Sequence, residues 1–225
     1  MLIKEWMSRP VITIRHDESL NDAAKLFRSR VISMLPVVKD CALTGIITDG
    51  DLKRAMPSDA TTLDRFELPA LLDDIKVGSI MTKTVSTIPL DYTVDEAAGI
   101  MLKKGISGMP VMYRSGEMIG IITKSDIFRC FVSFTGVSST GQIFATRLQD
   151  RPGVIKKFTD MIRAKGGRMC SIMTSYDDIE QGYRKVFFHT FDLSPDAFTS
   201  LVETFSQIGQ LYYAADLSRG YRKIF

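Results

Sequence analysis

The stretch Ile32-Ser33-Met34-Leu35-Pro36-Val37, followed by Gly45-Ile46-Ile47-Thr48-Asp49-Gly50-Asp51, returns as Ile106-Ser107-Gly108-Met109-Pro110-Val111 followed by Gly120-Ile121-Ile122-Thr123-Lys124-Ser125-Asp126. Met7, Ser19, Ala23 and Pro36 meet Met81, Thr93, Ala97 and Pro110 at a constant spacing of 74, which becomes 75 after one added residue ahead of Gly120. A chain duplicated in this way has two equivalent apolar faces to bury, and two such units bury them against each other. The cleft between them then carries two related sites.

Each repeat reads β-α-β-β-α. An apolar strand (residues 11–14 or 85–88) leads to a helix opened by a capping pattern, Ser19-x-x-Asp22 or Thr93-x-x-Glu96. Leu20, Ala23, Ala24 and Phe27, and equally Val94, Ala97, Ala98 and Met101, fall at helical spacing and form one buried stripe. Strands at 35–38 and 44–47, or 110–112 and 118–122, precede a second helix starting at Thr48 or Thr123. The repeats occupy residues 1–55 and 77–132. A connector, 56–76, has a helix-like Leu63, Phe66, Leu71, Leu72 pattern, and residues 133–142, rich in Gly and Ser, read as a flexible link.

A different domain follows at 143–217. Its strands are expected at 143–148, 169–174, 186–191 and 211–216. Val154, Ile155, Phe158 and Ile162 line one helix that ends at Gly166-Gly167, and Phe198, Leu201, Val202 and Phe205 line a second, capped by Ser194-Pro195-Asp196. The order β-α-β-β-α-β is the ferredoxin-like arrangement, whose open sheet face or edge pairs with another copy. The tail, 218–225, carries Arg219, Arg222 and Lys223 and reads as solvated. The fold class is α+β.

With 225 residues and 45% apolar composition the chain can fill several cores. Its 29 basic and 26 acidic residues are spread along it, and a net +3 is too weak to suggest a nucleic-acid or membrane surface. Cys41, Cys130 and Cys170 are odd in number, far apart and set among apolar residues, so they read as reduced core thiols. With no apolar signal core at the N-terminus and no run of about 20 apolar residues, a cytoplasmic location is expected. The two histidines, His16 in a polar turn and His189 in an apolar strand, do not make a catalytic set. Zinc spacing and a phosphate-binding Gly-x-x-x-x-Gly-Lys motif are also missing, so no metal site and no enzymatic activity are expected.

Gly-h-x-Thr-x-x-Asp, with h an apolar residue, has two readings. At a strand-to-helix junction, Asp51 and Asp126 could accept hydrogen bonds from ribose hydroxyls while Thr48, Thr123 and the helix start meet a phosphate. Thr-x-x-Asp is equally a capping box that closes the helix start. Taken alone, the motif reads mainly as a cap.

Its pairing with Ile-Ser-x-x-Pro, twice in one chain, resembles the tandem CBS (cystathionine β-synthase) domain pair over residues 4–130. The resemblance implies a module that binds AMP, ADP, ATP or S-adenosylmethionine as a regulatory ligand between the repeats. One implied pocket combines Met7, Ile12, Ile32 and Ser33 with Ile121, Thr123 and Asp126. The other combines Met81, Ser86, Ile106 and Ser107 with Ile46, Thr48 and Asp51. Nucleotide-binding members often carry His or Arg just before the Pro-containing strand, where this chain has Ser33-Met34 and Ser107-Gly108. Arg30, Lys104 and Lys124 are the nearest cations in sequence, though each reads first as a solvated surface charge, and AMP or S-adenosylmethionine fits as well as ATP.

Residues 141–217 resemble an ACT domain, which binds amino acids at an interface between two copies. Asp150-Arg151-Pro152-Gly153-Val154 matches its first turn, making Asp150 and Gly153 the candidate ligand turn, with a plain tight turn as the other reading. A CBS pair followed by an ACT domain resembles the AcuB family of acetoin-utilisation proteins. That implies a regulatory role in acetoin or carbon metabolism without identifying a reaction, while the ACT resemblance implies a homodimer, with a metabolic enzyme as the expected regulated partner. The alternative is a scaffold that oligomerises or holds partners without sensing a ligand.

Overall fold

Both capping boxes expected at the first helix of each repeat are formed. Ser19 Oγ accepts from the Asp22 N–H at the start of α2 (Leu20–Arg30), and Thr93 Oγ1 accepts from the Glu96 N–H at the start of α5 (Val94–Lys104). The computed structural model describes residues 1–55, 72–136 and 140–225, in two units, Met1–Phe128 and Arg129–Phe225.

Within the first unit each repeat has a three-stranded sheet. β1 (Ile14–Arg15) runs parallel to β2 (Met34–Lys39), which pairs antiparallel with β3 (Ala42–Thr48). β4 (Ile88–Pro89), β5 (Gly108–Met112) and β6 (Met118–Thr123) repeat that pattern. The strands expected at 11–14 and 85–88 shrink to two residues each. The physical reason lies just upstream, where the backbone hydrogen-bonds to the other repeat. Ser8 exchanges bonds with Ile121 of β6 (2.8 and 3.2 Å), and Thr82 with Ile46 of β3 (2.9 and 3.0 Å).

Two short helices lead into these crossings, α1 (Ile3–Trp6) and α4 (Val77–Ile80). The Ile3 N–H donates to Tyr92 O and the Val94 N–H to Met1 O, tying α1 to the second repeat. The Val77 N–H donates to Glu18 O and the Leu20 N–H to Ile75 O, tying α4 to the first. The cores follow suit. Ile3 and Met7 are buried with Ile88, Met101, Val111 and Ile122, while Leu72 and Val77 are buried with Ile14, Leu20, Phe27, Val37 and Ile47. Of the connector pattern, Leu63, Phe66 and Leu71 lie outside the described residues.

α3 (Asp49–Ala55) and α6 (Lys124–Thr135) follow β3 and β6. α6 corrects the expected link at 133–142, because Ser133 to Thr135 are helical. Thr135 is buried, its hydroxyl donates to Val132 O (3.1 Å), and only Gly136, at φ 67°, turns the chain out of the helix.

The second unit shows the expected element order: β7 (Gln142–Gln149), α7 (Val154–Ala164), β8 (Arg168–Ser175), β9 (Tyr183–Phe191), α8 (Pro195–Ile208) and β10 (Gln210–Asp216). A further strand, β11 (Tyr221–Ile224), corrects the tail. Gly220 (φ 64°) turns the chain back and β11 pairs antiparallel with β10, its side chains exposed, so the charges are solvated but the backbone is ordered in the sheet. The sheet order is β11-β10-β7-β9-β8. α7 and α8 bury Phe158, Ile162, Phe198, Leu201 and Phe205 against Phe144, Val186 and Phe188 of the sheet. The Phe158 ring lies 4.7 Å from that of Phe205 and 5.8 Å from that of Phe188.

Of the thiols expected in cores, only Cys130 is buried. Cys41 and Cys170 are exposed. Cys41 stands at a β2–β3 turn with φ 63°, and Cys170 lies at the irregular register between Met169 and Ser171 in β8. Among the described residues no helix is long and apolar enough to cross a membrane.

Candidate functional site

The last residue of β3 is Thr48, and α3 starts immediately after it, so Thr48 and Asp51 share one strand-to-helix junction. Asp51 Oδ2 accepts from the Thr48 N–H (2.8 Å) and hydroxyl (2.7 Å), while the Asp51 N–H donates to Thr48 Oγ1 (3.3 Å). The second repeat reproduces this with Thr123 and Asp126 at the same three distances. The capping reading of the motif is therefore real in both copies, and it uses one carboxylate oxygen of each aspartate.

What differs between the copies is the other oxygen. Asp126 Oδ1 accepts from the Ser8 hydroxyl (3.1 Å), and the residue is only 2% exposed. Asp51 Oδ1 pairs with the Arg54 guanidinium, whose side chain is 74% exposed, and both residues line a cavity.

That cavity, about 310 Å³, lies between the repeats. Ile46, Thr48, Asp51 and Arg54 come from the first repeat, and Thr82, Thr84, Ser86, Ile106 and Ser107 from the second. Six of the seven residues expected in this pocket line it. Met81 does not; its thioether packs over Gly45, where an added Cβ would overlap its sulfur. Arg54, Thr82 and Thr84 were not singled out from sequence. Arg54 sits one helical turn beyond Asp51, a spacing that could have flagged it. Thr82 and Thr84 reach the cleft only through the crossing at Ile46.

The other expected set is divided. Met7 packs over Gly120 as Met81 does over Gly45, and Ile121, Thr123 and Asp126 gather around the Ser8 crossing. Ile12 and Ile32 are half-buried against the core of the first repeat, and Ser33 is exposed with its carbonyl accepting from the Asp49 N–H (3.1 Å). Of the cations expected near phosphate, Lys104 donates from Nζ to Ser86 Oγ (2.9 Å), and Ser86 lines the cavity.

In the second unit Gly153 caps the start of α7 at φ 81°. An added Cβ there would meet nothing within 4 Å, so the positive φ is what requires glycine. Asp150 pairs with Arg184 Nε (3.4 Å), and its N–H donates to Gly182 O (2.8 Å). A separate cavity of about 350 Å³ beside this turn is lined by Arg147, Arg151 and Lys157 among others, and by neither Asp150 nor Gly153.

A family model for the CBS domain matches residues 3–58 and 77–133. A CBS domain-containing protein of Dictyostelium discoideum is 38% identical over 102 residues, covering 45% of this chain and 70% of that protein. The CBS domain pair of protein MJ0100, solved in complex with 5′-methylthioadenosine and S-adenosyl-L-methionine, is 32% identical with a TM-score of 0.49, covering 62% of this chain and 98% of that one. The structure assigned as an acetoin utilization protein (AcuB) from Vibrio cholerae shares the fold at 24% identity and a TM-score of 0.51, covering 61% and 95%.

Proposed function

The chain belongs to the CBS-domain family, and from that premise we propose that it is a non-catalytic sensor that binds an adenosine-containing ligand in the cleft between its repeats. The observation that carries this reading is the cavity at Asp51, where two isoleucines and a set of hydroxyls from both repeats surround one carboxylate. Ile46 and Ile106 offer apolar walls for a purine, and Asp51 offers an acceptor for sugar hydroxyls. Because both repeats contribute walls, a bound ligand favours one arrangement of the pair over others, which is the means by which binding is transmitted.

The second cleft, at Asp126, has its carboxylate satisfied by Ser8 and Thr123, so a ligand there has to displace the Ser8 hydroxyl. This same observation favours, for that cleft, the scaffold reading in which the motif only caps a helix.

Residues 143–217 fit an ACT-type regulatory module that assembles a homodimer, a reading supported by the β-α-β-β-α-β order and an antiparallel sheet with both helices on one face. The turn at Asp150 and Gly153 is its proposed amino-acid site. A regulatory role in acetoin or carbon metabolism is supported by the resemblance in domain order to the AcuB family, and a cytoplasmic location by the reading of the cysteines as reduced thiols.

Calorimetric titration of AMP, ADP, ATP and S-adenosylmethionine into the wild-type chain and Asp51→Ala tests the central claim. The expected result is binding by the wild type and a loss of about 1.5–3 kcal/mol in the variant, the worth of hydrogen bonds to a charged acceptor. Unchanged binding in Asp51→Ala, with about 1 kcal/mol lost in stability, would leave only the cap.

A further inference from the structure

We propose that the second unit carries a binding site for a compact polyanion, a small molecule with two or more negative charges and no ammonium group, in the cavity where β7 ends and α7 and β10 begin. The cavity encloses about 350 Å³, at the lower end of the range for small-molecule sites. Arg147, Arg151 and Lys157 line it, and no aspartate or glutamate does. Three cations without a lining carboxylate repel an ammonium group and attract the charge that balances them. The site is thus distinct, in place and in chemistry, from the turn at Asp150 and Gly153, which lines no part of it and holds a carboxylate.

The three cations are held differently. The Arg147 guanidinium lies over the Tyr183 ring, 3.8 Å from its centroid, and donates to Gln210 Oε1 (3.3 Å) and to Glu180. Stacking and hydrogen bonds fix this planar group at the cavity wall, where its side chain is only 24% exposed. Glu180, 71% exposed, offsets one of the three charges from outside the cavity. Among the described residues no side chain pairs with those of Arg151 and Lys157, so two positive charges are left for a ligand to meet, and charge-assisted bonds to it are stronger than neutral ones.

The backbone contributes in the same sense. The start of α7 has neither a side-chain cap nor an acidic residue in its first turn, so its partial positive charge borders the cavity uncompensated. α8 ends at the same cavity, at Gly209, and the opposite half-charge it brings is smaller than any one of the cations.

The test is calorimetric titration of the full chain with pyrophosphate, with glutarate and with glutamate, which differs from glutarate by one ammonium group. It is repeated on Arg151→Gln/Lys157→Gln and on Lys156→Gln. Lys156 neighbours Lys157 in sequence, but its amino group pairs with Asp160 and it does not line the cavity. The wild type should bind pyrophosphate or glutarate, the tighter of the two telling a phosphate site from a polycarboxylate site and exceeding glutamate at least about tenfold. The double variant should lose at least about tenfold in affinity for that anion, with a loss that shrinks as salt is raised. Lys156→Gln removes an equal charge from the same helical turn and should bind as the wild type does. Failure of both polyanions to bind, glutamate binding as tightly as they do, an affinity unchanged in the double variant, or an equal loss in Lys156→Gln would overturn the site.

Discussion

Gly45 and Gly120 leave the space into which Met81 and Met7 of the opposite repeats project, since a Cβ at either glycine would overlap a methionine sulfur. The Gly of the repeated Gly-Ile-Ile-Thr therefore serves packing between repeats. Gly45→Ala should lower stability by about 1–3 kcal/mol, the range for overpacking a filled site. Combined with Met81→Ala it should lower stability by less than the sum of the single changes, because the two residues are in contact. Urea unfolding of the three variants measures this coupling, and strict additivity would contradict the contact. His189, buried on β9, is governed by a different force. Desolvation holds its imidazole below the usual range, against a smaller upward pull from the backbone of Thr135. A base depressed on folding is bound by fewer protons in the native state, so its stability contribution is intact above the unfolded value of about 6.5 and lost as pH falls through it toward the folded value. The second unit should accordingly unfold more readily as pH drops from 7.5 to 5.5, and His189→Gln should flatten that slope in a thermal melt.

At the scale of elements, the crossings redefine what a repeat is. By sequence, α1 belongs to the first repeat and α4 to the second, yet Ile3 is fully buried in the second core and Val77 in the first. Neither core is complete without a segment of the other repeat. Ile3→Ala should cost about 2–5 kcal/mol, the usual range for emptying a core site. Its effect should be local in kind: hydrogen exchange should quicken across β4, β5 and β6 more than across β1, β2 and β3, because the cavity opens in the second core. The reverse pattern would mean that α1 stabilises its own repeat. The short β1 and β4 have the same origin. Extended backbone at residues 11–14 and 85–88 was readable from the apolar run, but a strand also needs a neighbour, and the approach to each comes from a crossing chain.

At the scale of the molecule, the proposed ligand cleft lies wholly within Met1–Phe128, while His189 and the five-stranded sheet lie within Arg129–Phe225. A compound bound at Asp51 should therefore protect the first unit directly. Near 100 times its dissociation constant it should add about 2.7 kcal/mol to the stability of that unit. Amide exchange followed with and without AMP checks this: slowing in β3, α3 and β5 is the expected result, and slowing confined to β7–β10 would place the binding elsewhere.

Periodicity and duplication were enough to indicate two related βαββα units and a second domain of β-α-β-β-α-β order, whereas the grouping of Thr48 and Asp51 with Ser86, Ile106 and Ser107 came from the resemblance to the CBS pair. These are local or repeated patterns, and each residue carries its own signal. Two things depended on residues distant in the chain, and a third, β11, carried no signal of its own. The exchange of α1 and α4 between cores follows from contacts between residues far apart in the chain, such as Ile3 with Tyr92 and Val77 with Glu18. The inequality of the two aspartates turns on Ser8 reaching Asp126 while Asp51 is left to Arg54 and open space. β11 was invisible because an edge strand with four exposed residues has no apolar alternation to announce it. A motif repeated in sequence sets which groups are present, but their surroundings are set by whichever segment the fold lays across them.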